Sequence, residues 1–331
     1  MSKAQFPRNA VRLAAIPVLA VISVEVVLSL LAKRPSSILG EINPQVGPWG
    51  DAAPRLEVLA LGVLYFTGAS FIFLKFLYDL VVHFGGVSRL RVLMVFLIGV
   101  ATGVAVLTPV MLEWWPTTMD LVGADLFSKA LEHSTTGGND YIWGPRVFEV
   151  MRALTNIVTG LVVPAFAAGT ISCLARFDEL TEKENWIFQS ERLRTYLYSA
   201  AGVLVVGVVF LKAWAGYPAF VLGEGARSTF VGVVNAYATY TGVEYSIVLA
   251  SCTIPVALIL SRRADRIAGA IAREENRLGK SPVSLPYSTL IRTVKERDKL
   301  GISFKEVVQA LIALLAPFLT GSVATLTAFS A

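Results

Sequence analysis

Residues 229–261 read TFVGVVNAYATYTGVEYSIVLASCTIPVALILS, a run in which Glu244 is the one charged side chain. Arg227 and Arg262 bound it. An α-helix needs about 20 apolar residues to cross a hydrocarbon core about 30 Å thick, so this run is long enough to span a bilayer with residues to spare. It predicts a tilted or broken membrane helix.

Working outward, six further apolar runs appear at about 13–32, 56–78, 92–112, 153–175, 195–213 and 307–329. Across all 331 residues, 55% are hydrophobic and 16% charged, against roughly a quarter charged in soluble domains. The expected fold is all-α, a polytopic bundle of about seven spans forming one integral membrane domain over 1–331. The first run follows Lys3, Arg8 and Arg12 and has the flanks of a signal peptide. Its length, the embedded Glu25 and the following Lys33-Arg34-Pro35 argue for retention.

Basic residues are retained on the cytoplasmic side, so counting Lys and Arg in alternate connections predicts orientation. Twenty of the 29 fall before the first run, near 89–91, in 176–194 and in 262–305, and seven fall in the other connections. The amino terminus is therefore expected inside and the carboxyl terminus outside, with Trp114, Trp115 and Trp214 at the outer headgroup level. Such a chain belongs in a plasma membrane or a bacterial cytoplasmic membrane. Its net charge of +5 follows from this asymmetry and calls for no nucleic-acid partner.

Residues 33–55, with four prolines, and 113–145, with Ser134-Thr135-Thr136-Gly137-Gly138, are expected as external loops. Within the second, Met119–Leu131 has the spacing of a short amphipathic surface helix. The 262–305 segment is expected to prolong the sixth helix into the cytoplasm and then form a second helix over Thr289–Lys299. It reads as a basic connector, and functionally as a docking surface for anionic lipid or a protein partner.

Small residues four apart allow close helix packing in lipid. Gly99/Gly103, Ala165/Gly169, Gly232/Ala236 and Ala238/Gly242/Ser246 have that spacing, which makes the sixth span the expected centre, with Gly242 a more sensitive position than Gly99. Pro164 and Pro255 should each shape their helix by removing a backbone donor.

An ionisable group inside a span is costly and is a functional hypothesis by default. Glu25, Arg152 and Glu244 converge in depth in the outer half of the first, fourth and sixth spans. With Asn235 and Tyr240 they form the candidate buried polar cluster. Lys75, Asp79 and His83 share one face at the inner end of the second span and predict a salt-bridged helix end.

No nucleophile–base pair, paired aspartates or metal-ligand spacing accompanies these groups, so no catalytic residue, metal or cofactor is assigned. His83 and His133 lie fifty residues apart, while Cys173 and Cys252 sit in apolar runs. The leading expectation is transport or permeation of a small polar solute or proton between the first, fourth and sixth spans. The alternative is a non-catalytic subunit, sensor or scaffold that docks a partner through 262–305. No internal repeat marks a two-half transporter.

Overall fold

The computed structural model describes residues 4–31, 52–111, 145–278, 287–298, 300 and 309–320. The described residues are helical, with two isolated β-bridges at Ala4–Phe84 and Gln5–Arg176. A 3-10 stretch over Arg8–Ala14 leads into α1, Ala15–Leu31. Then come α2, Ala52–His83; α3, Gly86–Met111; α4, Pro145–Ile157; and α5, Val163–Ser172. The chain continues through α6, Glu182–Gly216; α7, Glu224–Arg277; α8, Tyr287–Arg297; and α9, Gln309–Thr320.

Five helical stretches are long and apolar enough to cross a membrane: Ala53–His83, Gly86–Val106, Val150–Ser172, Glu182–Val221 and Glu224–Arg277. The helices in the first and last apolar runs are shorter as described, at 17 residues for α1 and Gln309–Thr320 for α9. Much of the outer apolar surface is uncovered. Leu56, Val63, Leu64, Phe71, Leu74 and Tyr78 of α2 are all exposed, a face consistent with lipid contact.

Local chemistry sets the helix ends. Gly86 takes a positive φ of 48° in the corner between α2 and α3, which a Cβ would strain. Arg89 then donates to the Phe84 and Val81 carbonyls that the end of α2 leaves open. Thr181 starts α6 with a capping box, its hydroxyl accepting from the Glu184 amide while the Glu184 carboxylate accepts from the Thr181 amide. Helix α6 therefore begins well before the 195–213 run, which covers only its apolar part.

The fourth apolar run carries a π turn over Val158–Val162, immediately before Pro164 near the start of α5. Pro164 offers no amide to the carbonyl four residues back, and the wider turn accommodates that loss. Pro255 lies within α7, with helix on both sides.

Helix α7 touches α1, α5, α6 and α8, and α6 lies against α2 as well. The small-residue series divide. A Cβ at Gly242 would collide with the Pro317 carbonyl and lie 3.0 Å from the Phe318 Cα, so α9 rests on bare α7 backbone. One at Gly99 would lie 2.9 Å from Pro164, and one at Gly103 3.3 Å from the Gly160 Cα, making this pair a tight seam of its own. Gly232 has open space around it, and both it and Ala236 are exposed.

The expected extension of the sixth apolar run is present, with α7 running to Arg277, and the second connector helix forms as α8. Ion pairs tie the arm together: Lys183 with Asp298 at 2.8 Å, Lys295 with Asp265, and Arg297 with Glu275 at 2.6 Å. Of the two expected loops, 33–51 and 113–144 lie outside the described residues, as does the amphipathic stretch Met119–Leu131. Residues 52–55 of the first belong to α2.

Four segments rich in Lys and Arg meet at one end of the bundle. The Ala4 amide donates to the His83 carbonyl, while Gln5 and Arg176 exchange backbone hydrogen bonds. The Phe6 amide donates to Ser88, and Arg91 donates to the Phe6 carbonyl. Arg263 of α7 reaches the Leu174 carbonyl, completing the group.

Candidate functional site

The concentrated buried charge lies between α2, α5 and α6. Helical spacing of four puts Lys75, Asp79 and His83 on one stripe of α2, and the same spacing puts Arg192 and Tyr196 on a facing stripe of α6. Asp79 is 3% exposed and Arg192 6%.

Arg192 Nη2 donates to Asp79 Oδ2 at 3.0 Å and to Ser172 Oγ at 3.2 Å. The Tyr196 hydroxyl donates to the same carboxylate oxygen at 2.9 Å. Lys75 Nζ stands 3.5 Å from Asp79 Oδ2 and 5.0 Å from the centre of the Tyr196 ring. His83 Nε2 lies 3.7 Å from Asp79 Oδ1, a distance that permits charge pairing without a direct hydrogen bond.

Packing holds these groups in place. Gly169 of α5 lets the Tyr196 ring lie against that helix, where any Cβ would overlap the ring. Ser172 turns its own proton to the Gly169 carbonyl at 2.7 Å, leaving its oxygen to accept from Arg192. The guanidinium stacks near Phe84 and Phe188, 5.8 and 5.7 Å from the ring centres, which compensates part of its lost hydration.

The balance is incomplete. Among the described residues, the Asp79 carboxylate faces two basic side chains, Lys75 and Arg192, with His83 beside them. Arg192 Nε and Nη1 are buried without a hydrogen-bond acceptor among the described residues. Partial access comes through Lys75, whose side chain is 20% exposed, and His83, at 15%. Such a site can accept a group that brings lone pairs or negative charge, or exchange a proton through His83.

A second polar layer occupies the seam of α2, α6 and α7. Tyr65 and Tyr245 share a hydrogen bond, with Glu244 and Tyr237 in electrostatic range. Gly207 admits the Tyr65 ring, since a Cβ there would come within 2.7 Å. Buried Ala69, Ile72, Ala200 and Leu197 lie along the helices between the layers.

The sequence-derived cluster is distributed as follows. Glu244 and Tyr240 are half-buried on α7, and Asn235 is buried on the same helix, with its side-chain oxygen lacking a partner among the described residues. Arg152, on α4, is exposed and forms no ion pair among the described residues. The side chain of Glu25 lies outside the described residues.

Sequence reasoning found Asp79 with its neighbours Lys75 and His83 but assigned Arg192 to a connection. The available signal was periodic: Gln189, Arg192 and Tyr196 recur at spacings of three and four and extend the apolar run backwards. Among the described residues no group of His, Cys, Asp and Glu is arranged to hold a metal ion.

Comparison with known proteins returned no matching family, no matching curated protein and no matching solved structure.

Proposed function

We propose that the chain is a seven-span integral membrane protein, amino terminus cytoplasmic and carboxyl terminus external, that moves a small polar solute or a proton across a plasma or bacterial cytoplasmic membrane. The orientation draws support from the gathering of its basic segments at one end of the bundle.

The observation that carries the transport reading is the Asp79–Arg192 cluster, with more basic than acidic side chains and two guanidinium nitrogens, Nε and Nη1 of Arg192, lacking acceptors among the described residues. Buried charge of this kind is expensive in a membrane and marks solute or proton routes. The outer half of the route would run past Tyr65, Tyr245, Glu244, Asn235 and Tyr240, and the apolar layer between the two polar regions would act as its closed gate.

The test is flux in proteoliposomes, with a pH-sensitive dye inside and a panel of small anions and zwitterions imposed as gradients. Wild type should dissipate one of these gradients, and Asp79→Asn and Arg192→Lys should reduce that flux at least tenfold while the protein remains folded. Absence of wild-type flux across the panel overturns the reading.

The arm built from α7 and α8 favours a second reading. Three ion pairs hold α8 on the bundle, giving a firm platform on which a protein partner could dock. Under this reading the chain is a scaffold or sensor, and removal of 287–298 abolishes partner recovery by cross-linking in intact membranes without altering membrane insertion.

A further inference from the structure

A cavity of about 300 Å³ opens at the basic end of the bundle, separate from the Asp79 cluster. Its walls come from the turn after α5, the first two turns of α6 and the 263–267 turn of α7. Three guanidinium groups line it: Arg176, Arg263 and Arg266.

The framework is built from side chains whose polar atoms are already used. Asn185 accepts from the Phe177 amide at 2.8 Å and donates to the Phe177 and Leu180 carbonyls at 2.8 and 2.9 Å, fixing the turn. Trp186 donates to the Leu260 carbonyl at 2.9 Å and so clasps α6 to α7. Gln189 donates to the Ala175 carbonyl and accepts from Arg263 Nη1 at 3.0 Å. Arg263 Nη1 also reaches the Leu174 carbonyl at 3.1 Å, which leaves Nε and Nη2 for other acceptors.

Two acids, Asp178 and Glu182, share the wall with the three cations and offset them only in part. Asp178 accepts from the Gln5 side chain at 2.7 Å, and exposed Glu182 approaches Arg176 only to 3.9 Å. Arg266 has no ion-pair partner among the described residues, and both it and Arg176 act on Arg263 as repelling like charges, with Glu182 opposing them in part. Repelling cations on a rigid concave wall gain most from an anion with several oxygens, which guanidinium forks bind in pairs.

We propose that this cavity is a binding site for a phosphate-bearing anion, its oxygens shared among Arg176, Arg263 and Arg266. The size suits a phosphoryl group together with a small polar substituent. Two sources offer this chemistry: the headgroup of an anionic phospholipid and a free phosphate ester. Either would bridge α5, α6 and α7 at their basic ends.

The experiment uses the full chain in nanodiscs of phosphatidylcholine and follows Trp fluorescence and thermal unfolding. One arm adds glycerol phosphate or inorganic phosphate at constant ionic strength. The other replaces a tenth of the lipid by phosphatidylglycerol. Arg266→Gln, at an exposed position, should weaken the responding arm about tenfold, the loss expected for one charge-assisted hydrogen bond. Arg262→Gln, equally charged but outside the cavity, should leave it unchanged. A response to phosphatidylglycerol alone assigns the headgroup, and a response to the soluble probes assigns the free ester. No response of wild type in either arm, or equal loss in Arg262→Gln and Arg266→Gln, overturns the site. Failure of the flux assay leaves this binding test untouched.

Discussion

Asp79 and Arg192, 113 residues apart in the chain, meet at 3.0 Å in a site where both side chains are less than a tenth exposed. The contact joins α2 to α6 at a depth where neither charge is stable alone. Tyr196 and Ser172 complete it, so the pair works as part of a network and its parts should not contribute independently.

Arg192→Gln and Asp79→Asn should each destabilise the protein by about 3–5 kcal/mol, because each strands a buried charge. The double variant should recover part of that loss. Denaturant unfolding of the four proteins in detergent checks the cycle, and simple additivity contradicts the network.

Reporters fused after Lys183 or Lys280 should be cytoplasmic, and those fused after Pro48 or Gly138 external. Alkaline phosphatase and fluorescent fusions give opposite signals for the two sides. An external Lys280 reverses the orientation.

Glycine substitutions should sort by what each Cβ would meet. Gly242→Ala and Gly99→Ala should each cost roughly 1–3 kcal/mol through overpacking, against Pro317–Phe318 and Pro164 respectively. Gly232→Ala, in open space, should cost nothing or stabilise α7 slightly. Thermal melts in one detergent rank the three.

Docking of α8 should weaken in acid. The Asp298 carboxyl is held below its ordinary value, first by the hydrogen bond from Lys183 and next by Arg297. A carboxyl with a depressed folded value contributes stability above its unfolded value of about 4, and this is lost as pH falls through the lower folded value. Hydrogen exchange across 287–298 should rise below pH 4 in wild type, and Asp298→Asn should remove that dependence. An unchanged pH profile in the variant contradicts the assignment.

The positions of the apolar helices were legible from composition, but their ends were less so, since α6 begins at Glu182, well before the 195–213 run. The prolongation of α7 to Arg277 and the α8 helix followed from Ile267, Ile271 and Leu278 and from the Thr289–Lys299 pattern. Rotation about the helix axis was harder to read. Gly232 and Gly242 share the same spacing signature, yet one faces open space and the other another helix.

Similarly, depth counting treated Arg192 as a loop charge, since an arginine near a helix start normally reaches water. Its burial depends on Asp79, which no local window contains. The equal depth of Arg152 and Glu244 said nothing about azimuth, and Arg152 is exposed.

The anchoring of Ala4–Phe6 has a consequence for biogenesis. Their partners extend from His83 through Ser88 and Arg91 to Arg176, all of which are synthesised after them. The segment must therefore wait, undocked, until Arg176 has been synthesised and inserted. Bulk inserted directly before Ala4 would obstruct this late closure.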